Sequence, residues 1–217
     1  MKFDTVLFDL DGTLTDPGIG ITNSVWYALK KLGISVSGRE ELYKFIGPPL
    51  SDSFARYYGM TAEEAENAST LFREYFHDKG IFENELIDGV PEMLSELRRH
   101  GIRVILATSK PREFAKRILD HFNISKYFDF VCGSEFDGTR EKKEDVVSYI
   151  IETQNIEDTS KCIMVGDREF DIIGGRLNYL KTCGVLFGYG SKEELAEAGA
   201  DYIVKNIAEL KDLLLSA

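Results

Sequence analysis

The sequence contains little cysteine, with three residues in a chain of 217. Cys132, Cys162 and Cys183 are far apart, and each lies in or beside an apolar run. A disulfide framework needs an even set of cysteines, and a cysteine-based metal site needs closely spaced ligands. Both are therefore excluded, and we predict three reduced thiols in the core.

Long apolar runs are also missing. No apolar run approaches the roughly 18 residues of a membrane span, and no signal peptide pattern precedes the first apolar stretch. We therefore expect a cytoplasmic protein that has no membrane partner.

Positive charge is scarce relative to negative charge. The chain has 26 Lys and Arg residues against 37 Asp and Glu residues, which gives a formal net charge of −11. Such a balance argues against nucleic acid polymers and anionic membranes as partners. It does not exclude a small phosphorylated metabolite, because binding of a small anion depends on local fields.

The arrangement of helices and strands changes once along the chain. Residues 17–84 show helical spacing only, with helices predicted over 21–32, 39–45, 51–58 and from Thr61 to about residue 80. Thr61 and Glu64 form a capping box at the start of that last helix. From Leu86 onward, helices alternate with short apolar strands, predicted over 102–107, 128–132, 162–165, 182–187 and 202–204. Alternation of this kind predicts an α/β fold with a doubly wound parallel sheet.

Two carboxylates end the first predicted strand, Val6 to Phe8. Side chains alternate along a strand, so Asp9 and Asp11 project to the same side at its carboxyl end, and Gly12 permits a tight turn. Paired carboxylates repel each other and are costly to desolvate, so a fold tolerates them where a cation or a reaction uses them. A solvated Asp-Gly turn is the alternative.

A pair of hydroxyl residues follows the strand predicted over 102–107. Thr108 and Ser109 precede Pro111, where a helix is predicted to begin. Hydroxyl and backbone N–H groups at a helix N-terminus can bind phosphate oxygens. Alternatively, either side chain caps the helix.

A lysine pair, Lys142 and Lys143, lies near the start of a later helix. The helix dipole disfavours cations at this end, so a lysine there suggests an anion to be neutralised. A charged surface turn is the alternative, and the charge pattern does not choose between the two lysines.

A further strand ends in Gly166-Asp167, and Asp171 follows four residues later. If a helix begins near Arg168, Asp167 and Asp171 lie on one side of its first turn. Acidic residues also favour a helix N-terminus, which is the alternative explanation. The glycine-rich stretch 184–190 fits no nucleotide-binding spacing, and we expect no chemical role for it.

Together these four pieces resemble the haloacid dehalogenase (HAD) superfamily of aspartate-nucleophile hydrolases. The segment from Asp9 to Asp16 matches the first motif of that superfamily closely, and the other pieces follow in the family order. The resemblance implies a Rossmann-like doubly wound core over residues 1–15 and 86–217, with an inserted all-helical cap over residues 16–85. The family commonly has proline after its lysine, where Glu144 stands here. We choose Lys143 because Tyr149 follows it at about the distance at which the family helix carries an aromatic or aliphatic residue.

The resemblance also implies residue roles. Asp9 is the nucleophile that forms an aspartyl-phosphate, while Asp11 protonates the leaving group and then activates water. Mg2+ is the implied cofactor, and its ligands are the carboxylates of Asp9 and Asp167 and the main-chain carbonyl of Asp11, with Asp171 in support. The phosphoryl group is held by Thr108 and Lys143, and the substrate-binding set also includes Gly12 and Ser109. Dehalogenases of the superfamily lack an acid at position 11, so we expect a phosphatase.

The leaving group is expected to be selected by the cap. The loop at 45–52 combines prolines with Gly47, and Lys44 and Arg56 flank it as possible partners of a second anionic group. A plain helix connector is the alternative.

Several substrate classes stay open. The chain as a whole looks like a phosphoglycolate phosphatase, whereas segments 133–140 and 166–169 resemble 5′-nucleotidase-like relatives more closely. A β-phosphoglucomutase-like phosphotransferase and a non-enzymatic, receiver-like phospho-switch are further alternatives. We expect a monomer or a homodimer.

Overall fold

A computed structural model of the chain describes residues 3–216; the ends of the predicted core, residues 1, 2 and 217, lie outside the described residues. By their internal contacts the residues form two compact units. One is Asp16–Glu85, and the other combines the chain up to Thr15 with the chain from Leu86 onward.

Strands and helices are numbered here along the chain. The strands of residues 3–216 are β1 (Thr5–Phe8), β2 (Thr15–Asp16), β3 (Glu85–Leu86), β4 (Arg103–Pro111), β5 (Phe130–Ser134), β6 (Cys162–Gly166), β7 (Lys181–Val185) and β8 (Tyr202–Val204). The α-helices of the same range are α1 (Gly18–Lys31), α2 (Leu50–Tyr58), α3 (Ala62–Phe76), α4 (Val90–Arg99), α5 (Arg112–His121), α6 (Lys143–Thr153), α7 (Glu169–Leu177), α8 (Lys192–Glu197) and α9 (Ile207–Leu215).

The larger unit is built on a six-stranded sheet with the order β5-β4-β1-β6-β7-β8. Each neighbouring pair is parallel. β1 and β6 are buried along their whole length, as expected for central strands covered on both faces. The chain leaves β1 on one side to form β4 and returns on the other side to form β6. In open α/β sheets, ligands bind at the carboxyl ends of strands beside such a reversal.

Helices cover the sheet. α6 and α7 pack together and contact β4 and β6, respectively, while α4 packs on α9 and on β4. Under α6 lies an apolar cluster that includes Leu7, Ala107, Val147, Ile150 and Met164, each essentially inaccessible to solvent. The predicted α/β fold with a doubly wound parallel sheet is confirmed.

The smaller unit is helical between the short strands β2 and β3, which pair with each other at its two ends. α1 and α2 both pack against α3, and Phe45 and Phe54 lie in the interior with ring centroids 4.9 Å apart. α3 begins with the predicted capping box: Thr61 Oγ1 accepts the N–H of Glu64, and the Glu64 carboxylate accepts the N–H of Thr61.

Three local predictions differ from the structure, and one strand pairing was not predicted. β4 continues to Pro111 instead of ending at residue 107, because after a register shift Pro111 pairs with Ser134 of β5. The helix predicted over 39–45 is a 3₁₀ helix, and α3 ends at Phe76 instead of near residue 80. The pairing of β2 with β3 was not predicted, because two-residue strands carry no periodic signal.

The helices described between residues 3 and 216 are all too short or too polar to form a bilayer-spanning segment.

Candidate active site

Three buried carboxylates meet at the carboxyl edge of the sheet. Asp9 follows β1, and its N–H donates to the carbonyl oxygen of Val165 on β6 at 2.9 Å. Asp167 follows β6, and Asp171 lies in the first turn of α7. One carboxylate oxygen from each of the three lies within 4.8 Å of the others. The parallel topology thus gathers three acids that are distant in sequence.

Lys143 joins two of these carboxylates. It is the first residue of α6, and its Nζ lies 2.7 Å from Oδ1 of Asp9 and 2.7 Å from Oδ1 of Asp171. The same Nζ donates to the carbonyl oxygen of Ala107 at 2.9 Å. Lys142 precedes the helix and is exposed. Of the two candidate lysines, only Lys143 is brought to Asp9.

The pKa values of this cluster are set by burial and by the charges of the neighbouring side chains. Burial alone would lower the pKa of Lys143, but the Asp171 and Asp9 carboxylates outweigh it, so that the pKa lies above its ordinary value. Burial raises the pKa of Asp171 to about 6 in spite of Lys143. Burial, together with Asp171 and Asp9, also raises the pKa of Asp167 well above its ordinary value. The ammonium group of Lys143 contacts only two of these three carboxylates, so an additional cation would stabilise their charged forms.

Asp11 has a cationic partner of its own. Its Oδ2 lies 2.8 Å from Nζ of Lys110, and the two side chains are 12% and 7% exposed. Asp11 Oδ1 is buried and has no hydrogen-bond partner among residues 3–216. Burial raises the pKa of Asp11, while the Lys110 ammonium acts to lower it. The two acids of the first motif therefore contact different lysines.

Thr108 lies in the last part of β4, where the register of the strand shifts. Its side chain is buried, and its Oγ1 accepts the N–H of Lys110 at 3.2 Å. The carbonyl oxygen of Ser109 accepts the hydroxyl of Ser134 at 2.8 Å. Neither hydroxyl caps α5, because the N-cap position is Pro111 and has no side-chain cap. The capping alternative was therefore wrong.

Glycines allow close approach to Asp167. Gly12 has a φ of +81°, and a Cβ built on it would lie 2.3 Å from Oδ2 of Asp167. A Cβ on Gly188 would lie 2.4 Å both from Cβ of Asp167 and from the carbonyl oxygen of Gly12. Next to it, the N–H of Tyr189 donates to Oδ2 of Asp167 at 2.7 Å.

Two of the three cap candidates, Lys44 and Arg56, lie near the same aromatic ring in the smaller unit. Nζ of Lys44 lies 4.4 Å from the centroid of the Tyr57 ring, and the guanidinium carbon of Arg56 lies 5.6 Å from the same centroid. Gly47 has a φ of +107°. Their role in selecting the leaving group stays a prediction.

Comparison with known proteins identifies the family. Residues 6–185 match the family model described as haloacid dehalogenase-like hydrolase. The chain belongs to this family. The predicted membership of the HAD superfamily is thereby confirmed.

Three relatives of this HAD-family chain cover nearly all of it. A 5′-nucleotidase of Pseudomonas aeruginosa is 39% identical over 216 residues, which are 100% of this chain and 97% of the relative. The crystal structure of a "predicted phosphatase" from Clostridium acetobutylicum has a TM-score of 0.97 at 47% identity and covers 100% of both chains. The tyrosine-protein kinase PtkA of Mycobacterium tuberculosis is 35% identical over 208 residues, which are 96% of this chain and 70% of the relative.

Two contacts of this HAD site were not predicted. The contact of Lys110 with Asp11 was not predicted, although a lysine directly after Thr108-Ser109 at the end of an apolar strand is a visible signal. The stretch 184–190, for which no chemical role was expected, contributes the backbone of Gly188 and Tyr189 to Asp167. Its glycines fit no nucleotide-binding spacing, but dense glycine at a strand end also indicates close backbone approach.

Proposed function

We propose that this phosphatase of the HAD superfamily is a Mg2+-dependent phosphomonoester hydrolase that acts through an aspartyl-phosphate on Asp9. The observation that carries the proposal is the buried contact of 2.7 Å between Asp9 and Lys143, beside two further carboxylates at the reversal point of the sheet. A nucleophilic carboxylate and a cation for the phosphoryl oxygens are thereby held together before any substrate arrives.

The donor set fits Mg2+. Asp9, Asp167 and Asp171 offer hard carboxylate oxygens close enough for a common ion, and the carbonyl oxygen of Asp11 is the further ligand proposed. The excess of carboxylates over ammonium groups in this cluster also favours a cation. When bound, Mg2+ supplies positive charge that offsets the repulsion between the nucleophile and the phosphate.

The first chemical step uses two acids in different roles. Oδ2 of Asp9 attacks phosphorus, and the bond from phosphorus to the leaving oxygen breaks. Asp11 gives its proton to that oxygen, so the alcohol leaves neutral. The raised pKa of Asp11 favours the protonated form that this step needs. Thr108 and Lys143 hold the phosphoryl oxygens in this proposal. Gly12 and Ser109 complete the proposed substrate-binding set.

The second step reverses the proton transfer. Asp11, now ionised, takes a proton from water; the water oxygen attacks phosphorus, and the bond between phosphorus and Asp9 breaks. Inorganic phosphate and the free Asp9 carboxylate result. Turnover of this kind distinguishes a hydrolase from a phospho-switch, which retains its phosphate, and from a mutase, which returns it to a sugar.

A small phosphorylated metabolite is the proposed substrate. The full-length similarity to a protein named 5′-nucleotidase makes nucleoside 5′-monophosphates the first esters to test, and phosphoglycolate is the second candidate. Lys44, Gly47 and Arg56 of the cap are proposed to contact the leaving group. One relative is named a tyrosine-protein kinase, so the acceptor of the phosphoryl group, water or another hydroxyl, is itself worth testing.

The test is phosphate release from p-nitrophenyl phosphate, nucleoside 5′-monophosphates, phosphoglycolate and sugar phosphates, with Mg2+ and with EDTA. We expect metal-dependent turnover that Asp9→Asn abolishes and that Lys126→Met, at an exposed position, leaves unchanged. Trapping of labelled phosphate on the wild-type protein, absent in Asp9→Asn, would support the covalent intermediate. Full activity of folded Asp9→Asn would refute the proposal.

A further inference from the structure

Asp11 does not stand alone in this site. Its Oδ2 is 2.8 Å from Nζ of Lys110, and both side chains are largely withdrawn from solvent. An ion pair with so little exposure is not the loose surface contact that contributes little to structure. It fixes which carboxylate oxygen points to the lysine and which points elsewhere.

The other oxygen is the informative one. Oδ1 of Asp11 is buried without a hydrogen-bond partner in the described part of the chain. Buried carboxylate oxygens are normally satisfied, so a lone one in an active site is available to an incoming donor or acceptor. The ion pair therefore orients Asp11 with one oxygen occupied and one oxygen ready.

Lys110 is held by a hydrogen bond within β4 and lies beside β5. Its N–H donates to Oγ1 of Thr108 at 3.2 Å, and Ser134 of β5 holds the Ser109 carbonyl oxygen at 2.8 Å. Gly133 allows β5 to approach, because a Cβ there would lie 2.4 Å from the carbonyl oxygen of Lys110. Residues 108–110 of β4 thus carry both the proposed phosphate-binding hydroxyl and the lysine that faces Asp11.

We propose that Lys110 is a positioning residue for proton transfer: it holds Asp11 through Oδ2 so that Oδ1 exchanges the proton with the leaving oxygen and then with water. The inference rests on the proposed function, because it assigns a helper to the acid–base residue of that mechanism. Lys110 itself does not touch the transferred proton. Its effect is confined to steps in which a proton moves.

This confinement gives the proposal a specific kinetic signature. A p-nitrophenolate leaves without a proton, whereas the alkoxide of a nucleoside 5′-monophosphate or of phosphoglycolate needs one. The parameter kcat/KM reports the steps up to release of the alcohol, so the later hydrolysis of the aspartyl-phosphate does not obscure the comparison. A residue that only supported the fold or bound phosphate would affect both esters equally.

The experiment compares Lys110→Met with wild type on p-nitrophenyl phosphate and on the best alkyl ester of the substrate panel. We expect kcat/KM for the alkyl ester to fall by about 10- to 100-fold, because part of the rate factor from general-acid catalysis is lost. For p-nitrophenyl phosphate we expect kcat/KM to fall by less than about threefold. Lys110→Arg keeps the charge and should recover part of the loss on the alkyl ester. Lys116→Met removes an exposed lysine of the following helix and should change neither value.

Asp11→Ala completes the design. In this background, Lys110→Met should add no further loss on the alkyl ester, because both changes remove the same oriented proton donor. Equal losses on the two esters, no loss on either, or a full additional loss in the Asp11→Ala background would overturn the inference. Activity of Asp9→Asn reports separately on the proposed function, and thermal unfolding of each variant confirms that it is folded.

Discussion

Removal of Lys143 should destabilise the metal-free protein strongly. The side chain is 3% exposed, and its Nζ makes contacts of 2.7, 2.7 and 2.9 Å with Asp9, Asp171 and the Ala107 carbonyl oxygen. Methionine has a similar length, so Lys143→Met removes the charge while it leaves little empty space. Two buried carboxylates then lose their counter-charge.

The magnitude follows from this geometry. Removing one partner of a buried ion pair costs about 3–5 kcal/mol, because the remaining charge stays buried without compensation. In a chain of this size, each kcal/mol lowers Tm by about 2–4 °C. We therefore expect Tm to fall by roughly 6–20 °C in EDTA.

The loss should depend on pH in a defined direction. The pKa of Asp171 is raised from 3.8 to about 6 in the folded protein, so its contribution to stability is fully present below pH 3.8 and is lost as the pH rises through about 6. Without Lys143 this pKa rises further. The Lys143 ammonium stays charged across this range, because its own pKa is raised above 10.5. The deficit of the variant should therefore be larger near pH 8 than near about pH 5.

Urea unfolding followed by circular dichroism in EDTA, at both pH values, measures the free energy of unfolding directly. Lys142→Met is the matched control, since it removes the exposed neighbouring lysine and should change stability by no more than about 0.5 kcal/mol. An Lys143→Met protein as stable as wild type near pH 8, or one with the same deficit at both pH values, would refute the electrostatic reasoning.

Three other outcomes are expected. Gly188→Ala places a Cβ 2.4 Å from Cβ of Asp167, so Asp167 must shift. We expect phosphatase activity to fall by about 10²-fold and the Mg2+ concentration for half-maximal activity to rise. Unchanged activity would contradict the close packing. Thr61→Ala removes the capping hydroxyl of α3 and should lower the free energy of unfolding by about 1 kcal/mol in a urea titration, with no change in catalysis. Burial raises the pKa of Cys132 and Cys162 to about 11 and the pKa of Cys183 to about 12. A disulfide reagent near neutral pH should therefore label none of these thiols quickly in the native protein and all three after denaturation. Fast labelling of the native protein would show that a thiol is accessible.

The fold could be predicted largely because its signals are local. The apolar runs of β1 and β6 and the helical spacing of α1 are readable within a few residues, and alternation of strands and helices determines a parallel sheet. The end of β4 could not be read in this way. Its last residues are held by β5 through a shifted register, which depends on a strand about twenty residues further along.

The contacts of the site likewise fall into a predictable group and an unpredictable group. Asp9 and Asp167 follow strands that lie side by side, and parallel topology sends both to one edge, so their meeting was predictable. The contact of Lys110 with Asp11 depends on the irregular end of β4, and that of Tyr189 with Asp167 depends on how the chain folds after β7. No periodicity encodes these local conformations. Only the residue types, a lysine and a run of glycines, gave a signal.

We propose different chemical roles for Asp9 and Asp11, although both lie at the end of one strand. They are two residues apart, yet Asp9 faces a lysine that it shares with Asp171, whereas Asp11 faces a lysine of its own. A shared lysine leaves an excess of negative charge around Asp9, which suits a metal-assisted nucleophile. The ion pair with Lys110 leaves Asp11 with one oxygen that has no hydrogen-bond partner among residues 3–216, which suits proton exchange. The division of roles that we propose for these two chemically identical side chains therefore follows from which cation each one meets.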